Sequence, residues 1–456
     1  MTPLRLAFLP LIRTTFDVPL AEEMIRQARQ ALLAAGFELV EAAGPISDLD
    51  QARAAARELS GADFDLYLIY QATFADSTMV TALVEEAKAP VFLWAIPEPW
   101  SGGRLRLNSL CGINLAGHAL TLRGRRYDYA YAAPGDAAVL GKIRALAAAG
   151  ALRRRLASAR LGVVGEHPVG MDSCHLDETS LASLFGIQIS RIPLEQVFER
   201  AKTIPQANLA ETRGGLDQRL DNLASLDQAP LNGTLSVYHA LKAITAEQKL
   251  DGLAVRCWPE FFTVMGCAAC GAMSMLSDGF GLPGPLPCSC EADINGTVTQ
   301  LMLQTLAGTA AFGTDMVGVD VENDRVALWH CGLAPLSMAD PTAQPHGEIH
   351  SNRKVPLVFD FPLKPGVVTL ARLSQATGAL RLVYGRGQMM AEPKPFSGTA
   401  GVLKLDCGAR TFLDLLMREG LEHHVSLTYG DFAEALQAFA DLTQIPALKM
   451  ERTEVN

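Results

Sequence analysis

The sequence predicts an α/β protein with two open parallel-sheet (Rossmann-like) domains, followed by a mixed, β-rich, barrel-like C-terminal domain. Apolar strands alternate with amphipathic helices over the first ~150 residues, which is typical of a parallel sheet covered by helices on both faces. A similar alternation follows an Ala/Gly-rich and then basic boundary. From about residue 310 the alternation of strands and helices gives way to short strands separated by turn-forming residues. We therefore predict domains at 1–152, 153–308 and 309–456.

The first domain is predicted from seven elements in strict alternation. The strands are 4–9, 37–40, 65–70 and 90–95, and the helices are 20–35, 51–59 and 79–87. Functional loops of such sheets lie at the carboxyl ends of the strands, which makes Arg13 and Trp94 candidate substrate contacts. For Trp94 a packed core position is the competing interpretation. No GxGxxG follows the first strand, so a dinucleotide site is not favoured.

The second and third domains differ in their strand spacing. The second has strands 160–164, 187–192 and 252–256 with helices 178–184 and 237–249, and a further helix after residue 296. The third has strands 316–321, 325–328, 355–361, 367–373 and 379–384 with helices 410–418 and 431–442.

Composition excludes several classes of function. Among 456 residues the net charge is −10, whereas a nucleic-acid-binding face is basic. No apolar run reaches the roughly 18 residues of a membrane span, and the first residues lack a signal-peptide layout. Nine cysteines fit free thiols in a reducing compartment better than a disulfide framework. We expect a cytoplasmic protein with a small-molecule ligand and neither nucleic-acid nor membrane partners.

The most informative stretch is Pro287-Cys288-Ser289-Cys290-Glu291-Ala292-Asp293-Ile294-Asn295-Gly296, where a Gly/Pro-rich loop enters an apolar helix. One interpretation is simple helix capping by the carboxylates. The other is a metal site formed with Asp315 and His424, since carboxylates and an imidazole suit Mn²⁺ or Mg²⁺. Such a site fits proton transfer between adjacent carbons of a sugar, with one carboxylate as base and another as acid.

Four blocks, in order, resemble the L-fucose isomerase and L-arabinose isomerase superfamily. They are the stretch around Glu291, Phe312-Gly313-Thr314-Asp315 with Trp329-His330-Cys331-Gly332, the strand region 358–373, and His423-His424-Val425-Ser426 continuing to Tyr429-Gly430. The resemblance implies an aldose–ketose isomerase that acts on an open-chain monosaccharide through an enediol. Glu291, Asp315 and His424 would bind Mn²⁺ (or Mg²⁺ or Co²⁺), and the two carboxylates would be the catalytic acid/base pair.

The same resemblance implies further contacts and an assembly. His423 matches a substrate-contact position, and His330 a histidine near the metal. Arg13 corresponds to an arginine that reaches a neighbouring subunit's site, which implies a homo-oligomer, a trimer or a hexamer, with sites at subunit interfaces. The stretch Arg256-Cys257-Trp258 follows a predicted strand, so Arg256 and Trp258 are further substrate-binding candidates, Trp258 by stacking on a sugar.

Three questions stay open at this level. The substrate is an L-fucose/D-arabinose-type sugar by family default, or an anion-substituted (for example sulfonated) hexose if Arg13, Arg104, Arg106 or Arg256 faces the site. Cys267, Cys270, Cys288 and Cys290 approach the spacing of a zinc site, against the alternative of buried free thiols. The rival hypothesis is a non-catalytic, two-domain sugar-binding protein. Sugar binding without turnover, unaffected by a chelator, would favour it.

Overall fold

The structure, a computed structural model, describes residues 3–452. The chain divides into two compact units. The first runs up to Arg154 and includes Glu434–Gln444; the second comprises Arg155–Ala433 and the segment from Ile445. The three-domain division therefore stays a prediction.

The first unit is built on a five-stranded sheet. Its elements are β1 (Arg5–Leu11), α1 (Val18–Ala34), β2 (Glu38–Glu41), α2 (Leu49–Leu59), β3 (Leu66–Gln71), α3 (Ser77–Val84), β4 (Val91–Ala95), α4 (Ser109–Leu122), β5 (Asp128–Tyr131) and α5 (Ala137–Ala157). The strand order is β2-β1-β3-β4-β5, and every pairing is parallel. Asp17, Asp48 and Asp76 cap the first three helices by accepting backbone N–H groups, which fixes where each helix begins.

The second unit opens with a four-stranded parallel sheet in the order β7-β6-β8-β9. Its elements are β6 (Arg160–Val164), α6 (Glu178–Phe185), β7 (Gln188–Ile192), α7 (Leu194–Lys202), α8 (Gln206–Asp217), α9 (Gln228–Gln248), β8 (Gly252–Val255), α10 (Glu260–Thr263), α11 (Ala269–Asp278), β9 (Cys288–Ser289) and α12 (Ile294–Ala307).

The rest of the second unit is a closed barrel. Its elements are β10 (Phe312–Asp320), β11 (Arg325–His330), β12 (His346–Glu348), β13 (Val358–Pro362), β14 (Gly366–Ser374), β15 (Arg381–Met389), β16 (Thr399–Leu405), α13 (Ala409–Arg418), β17 (His424–Tyr429), α14 (Ala433–Thr443) and β18 (Ala447–Lys449), with α14 in the first unit from Glu434 on. The sheet runs β12-β13-β16-β11-β10-β17-β14-β15-β18, and β15 also pairs with β16. That extra pairing closes six antiparallel strands into a ring.

One helix joins the two layers of the second unit. α12 is buried along most of its length because it packs on β8 of the parallel sheet and on β14 and β17 of the barrel. Its first turn therefore lies beside the barrel strands that carry the predicted site. The predicted fold class is confirmed. No helix within residues 3–452 combines the length and apolar character of a membrane span.

Candidate metal centre and active site

Barrel pairing brings two of the predicted ligands face to face. Asp315 in β10 is directly opposite His424 in β17, and on its other side it is opposite Trp329 in β11. Directly opposite residues of an antiparallel pair lie close enough for their side chains to interact. Accordingly, His424 Nε2 lies 3.2 Å from Asp315 Oδ1. His330, at the end of β11, is buried and its ring stacks against that of His424 with centroids 6.2 Å apart.

Glu291 reaches the same place from the loop between β9 and α12. Glu291 and Ala292 both have left-handed backbone conformations, with φ of 57° and 55°. Consecutive non-glycine residues rarely adopt this conformation, and it persists only where the surroundings fix it. Here the Ala292 N–H donates to the Val255 carbonyl at the end of β8, at 3.0 Å. Glu291 is therefore held outside the helix, and Asp293 is the residue that caps α12 by accepting from Gly296 N at 3.0 Å.

Asp293 also orients the histidine. Its Oδ2 lies 3.0 Å from His424 Nδ1 and 2.5 Å from Arg372 Nη1, and the side chains of Asp293 and Arg372 are both almost fully buried. Because Nδ1–H is donated to Asp293, the Nε2 lone pair of His424 points toward the two other carboxylates. A carboxylate behind a histidine in this way is the usual support of a metal-ligating imidazole.

Both predicted carboxylate ligands face the same ring nitrogen of His424. Asp315 groups there with His330 and His424, and Glu291 groups with Cys174 and His424, the ligand atoms of each group lying within 4.8 Å of one another. Glu291 Oε2 is 3.9 Å from His424 Nε2, on the same nitrogen that faces Asp315. Two ionised carboxylates that face one ring nitrogen repel each other and its lone pair unless a positive charge lies near them. This oxygen-rich set with one imidazole therefore fits a hard divalent ion.

The protonation states agree with that arrangement. Burial alone would raise the pKa of Glu291 and of Asp315, but hydrogen bonds and charge from the histidines outweigh it, so both pKa values lie below the ordinary range. Burial lowers the pKa of His424, but Asp293 and Asp315 more than reverse this and its pKa lies well above normal. A proton on His424 thus supplies, in the metal-free chain, the positive charge that an ion would supply.

Three of the predicted substrate contacts surround this point. Trp258 Nε1 donates to Glu291 Oε1 at 3.1 Å, and His423 Nε2 lies 3.2 Å from Glu291 Oε2. The other ring nitrogen of His423 lies 3.0 Å from Ser173 Oγ. The Cys331 N–H donates to His330 Nδ1 at 2.9 Å, so the neutral imidazole carries its proton on Nε2. In that tautomer Nε2–H is a hydrogen-bond donor, and His330 also belongs to a candidate metal group with Asp315 and His424.

A cavity of about 950 Å³ lies beside His423, the residue whose ring contacts Glu291. Ser173, His175, Gln375 and His423 line it, together with the acidic residues Asp172, Asp177, Glu178 and Glu422. Its size is in the range of small-molecule sites.

Comparison with known proteins identifies the family. The model for the N-terminal domain of fucose/sulfoquinovose isomerase matches residues 8–148, and that for the C-terminal domain of L-fucose isomerase matches 328–451. A sulfoquinovose isomerase from Alkalicoccus urumqiensis is 31% identical over 450 residues, which is 98% of this chain and 100% of the relative. The chain belongs to the fucose/sulfoquinovose isomerase family.

Two further relatives agree. A sulfoquinovose isomerase from Priestia aryabhattai is 30% identical over 94% of this chain and 95% of its own length, and one from Clostridium sp. (strain MSTE9) is 29% identical over 84% and 85%. Members of the family are aldose–ketose sugar isomerases, so the protein is an enzyme of that class and the rival of a non-catalytic binding protein is set aside. The family is typically metal-dependent, which agrees with the ligand set found here.

The other predicted substrate contacts each have a partner of their own. Trp94 is fully buried in the core of the first unit and its Nε1 donates to the Ala132 carbonyl, which corresponds to the packed-core interpretation. Arg13, also in the first unit, forms an ion pair with Asp76 at 2.7 Å. Arg256 follows β8 as expected, but its guanidinium is held by Glu260 at 2.8 Å.

The cysteines group differently from the spacing-based hypothesis. Cys270 Sγ lies 3.2 Å from Cys331 Sγ, and a ring nitrogen of His350 lies within 4.8 Å of both sulfurs. Within residues 3–452, no candidate metal group unites Cys267 or Cys270 with Cys288 or Cys290. All nine thiols are free, as predicted.

Sequence reasoning missed several residues around the fucose isomerase-like centre. Asp293 was noted only as a helix cap, whereas it also anchors His424. Cys174 lies 3.8 Å from Glu291 Oε2 and was not singled out. Arg372 offered a signal that could have been used, because a charged residue in the apolar strand β14 is buried only when it is paired.

Proposed function

We propose that the protein is a metal-dependent aldose–ketose isomerase of a sulfonated hexose, sulfoquinovose, with its centre at Glu291, Asp315 and His424. The observation that carries the proposal is the approach of Glu291 Oε2 and Asp315 Oδ1 to the same nitrogen, His424 Nε2, with His424 Nδ1 held by Asp293. These side chains come from three distant segments of the chain. Nothing in the barrel itself requires two ionised carboxylates and an imidazole to meet there.

Glu291, Asp315 and His424 would hold a divalent cation, and we favour Mn²⁺, with Mg²⁺ or Co²⁺ as alternatives. When bound, such an ion polarises the oxygens on C1 and C2 of an open-chain sugar and so increases the acidity of the C2–H bond. All other roles fall to the chain's own groups.

The carboxylates move the proton. One of Glu291 and Asp315 removes the proton from C2 and gives it to O1, while the other takes the proton of the C2 hydroxyl group and returns it at C1. The aldose is thereby converted into the ketose through an enediol, and both carboxylates end ionised as they began. Both groups are ionised at neutral pH, because their pKa values lie below the ordinary range. Trp258 and His423 fix the Glu291 carboxylate by contacting its two oxygens. His330 Nε2–H would donate to a substrate oxygen.

The choice of a sulfonated substrate is supported by the names of the relatives, each a sulfoquinovose isomerase. Sulfoquinovose therefore replaces the L-fucose/D-arabinose-type sugar as the expected substrate. The test is a panel of aldoses incubated with the Mn²⁺-loaded protein and analysed by NMR for ketose. We expect sulfoquinovose to be converted with a kcat/KM at least tenfold above D-glucose, L-fucose and D-arabinose. Equal or better conversion of a neutral sugar contradicts the substrate assignment.

We also propose a cytoplasmic homo-oligomer, a trimer or a hexamer. The support is the family resemblance together with the position of Arg13 directly after β1, at the carboxyl edge of the first sheet. In such an assembly Arg13 would contribute to a site whose metal ligands belong to a neighbouring chain. Rings are the usual outcome of head-to-tail contacts between identical subunits.

A further inference from the structure

Of the four arginines first considered as readers of an anionic group, all but Arg104 already have a carboxylate partner. Arg13 pairs with Asp76 at 2.7 Å, Arg106 with Asp17 at 2.9 Å, and Arg256 with Glu260 at 2.8 Å. A guanidinium whose charge is matched by a carboxylate gains little from a second anion unless the first pair breaks. A sulfonate reader is therefore better sought among arginines without a carboxylate partner.

Arg353 is such an arginine, and it lies beside the metal centre. Its guanidinium carbon is 5.8 Å from the centroid of the Trp258 ring and 5.5 Å from that of Phe262, within the range of cation–π contact. Among residues 3–452, no carboxylate forms an ion pair with it, and the side chain is exposed. Arg353 is thus positioned by two aromatic rings while its hydrogen-bond donors stay available.

Arg353 lies in a turn that is held by hydrogen bonds to His350. His350 Nδ1 accepts the N–H of Asn352 at 3.3 Å and that of Arg353 at 3.4 Å. The turn is closed by Lys354 N–H donating to the His350 carbonyl at 2.8 Å. The His350 ring is nearly buried and packs edge-on against Phe262 with centroids 5.2 Å apart. The guanidinium is therefore held over the aromatic pair by its backbone as well as by its own stacking.

Trp258 connects this guanidinium to the chemistry. Its indole N–H donates to Glu291 Oε1, so a single indole ring separates Arg353 from the proposed acid/base carboxylate. A sulfonate on C6 lies several carbon–carbon bonds from C1 and C2, so it needs a cation at a distance from the carboxylates rather than next to them.

The opposite side of Glu291 is unsuited to an anion. His423 contacts the other oxygen, Oε2, and the cavity beyond it is lined by four acidic side chains, Asp172, Asp177, Glu178 and Glu422. A sulfonate placed among these carboxylates would be repelled by them. Charge thus favours one orientation of an anionic open-chain sugar, with its anionic end toward Trp258 and Arg353.

We propose that Arg353, stacked on Trp258 and Phe262, binds the sulfonate group of the substrate and selects sulfonated over neutral hexoses. The inference rests on the proposed function. The guanidinium group donates two parallel N–H hydrogen bonds to two sulfonate oxygens, as it does to carboxylates and phosphates. Because this contact lies away from the reacting carbons, it acts on ground state and transition state alike and appears in KM rather than in kcat.

The test compares Arg353→Ala, Arg353→Lys and wild type with two inhibitors, glucitol and the sulfonated alditol obtained by reducing sulfoquinovose. We expect Arg353→Ala to raise the inhibition constant of the sulfonated alditol by about 10- to 100-fold, the scale of a hydrogen bond to a charged group. The constant for glucitol should change less than twofold. Arg353→Lys keeps the positive charge but cannot donate two parallel hydrogen bonds. Its inhibition constant for the sulfonated alditol should lie between those of wild type and Arg353→Ala. KM for sulfoquinovose should rise in parallel with little change in kcat.

Arg418→Ala is the matched control, because it removes the same charge from an exposed helix end. It should leave both inhibition constants unchanged. Wild-type discrimination in a folded Arg353→Ala protein overturns the inference, as does loss of discrimination in Arg256→Ala with Arg353→Ala unaffected. These results leave the proposed function intact as long as wild type converts sulfoquinovose. If wild type fails to convert it, the proposed function falls, and this inference falls with it.

Discussion

Asp293→Asn tests whether the carboxylate behind His424 supports a metal ligand. The substitution keeps an oxygen that can accept from Gly296 N–H, so the cap of α12 is retained. It removes the negative charge that fixes His424 Nδ1–H and orients Nε2. Loss of such a supporting carboxylate typically costs 10- to 100-fold in metal affinity. We therefore expect the Mn²⁺ dissociation constant to rise by about that factor, or roughly 1.4–2.8 kcal/mol.

The same change has a cost in stability. Breaking a buried ion pair usually costs about 3–5 kcal/mol. Arg372 keeps a 3.0 Å hydrogen bond to the Ser173 carbonyl and the Glu422 carboxylate at 3.8 Å, so we expect the low end, about 3 kcal/mol. Urea unfolding of the metal-free protein measures this loss in the free energy of unfolding separately from metal binding.

The assay is calorimetric titration of metal-free protein with Mn²⁺, with Asp227→Asn as the control. Asp227 caps α9 by the same kind of hydrogen bond and forms no contact with the site, so this variant should bind Mn²⁺ like wild type. An unchanged dissociation constant in folded Asp293→Asn would refute the role assigned to Asp293.

Three other predictions concern the chemistry and the assembly. Glu291→Gln keeps the shape of the side chain but not its basicity, so kcat should fall at least ~10²-fold with the fold intact by circular dichroism; a near-normal rate would exclude Glu291 as acid or base. Turnover in deuterated water should place label at the transferred position of the ketose, and complete retention of protium there would favour a hydride shift instead. Mixed oligomers reassembled from Arg13→Ala and Glu291→Gln chains should regain part of the activity; confirmed mixed oligomers that stay inactive would argue for sites formed within one chain.

Local patterns were sufficient for most strands of the two parallel sheets. Strand–helix alternation predicted β1 to β4 because each element there is long enough to show its own period. The Ala/Gly-rich and basic composition of 130–155 indicates a domain boundary, whereas the segment contains part of β5 and most of α5. Alanine is the strongest helix former, so its enrichment there was a helix signal in its own right.

The support of the site could not be predicted in the same way. Arg372 and Asp293 are 79 residues apart, and His424 is 131 residues from Asp293. Such pairs depend on barrel closure and on the packing of α12 against β14 and β17, which no local period encodes. The left-handed backbone at Glu291 is likewise fixed by a hydrogen bond to Val255, a residue on a different strand. Resemblance to a family identified the ligands, whereas their geometry required the fold.

The most direct test of the central claim is turnover of sulfoquinovose before and after removal of metal. Protein dialysed against EDTA should lose its activity, and addition of Mn²⁺ should restore it as one ion binds per chain, with Zn²⁺ less effective. The triple variant Glu291→Gln, Asp315→Asn, His424→Gln should bind no Mn²⁺ under the same conditions and remain inactive. Full activity in verified metal-free wild type, or one tightly bound Mn²⁺ in the folded triple variant, would contradict a catalytic metal centre at these three residues.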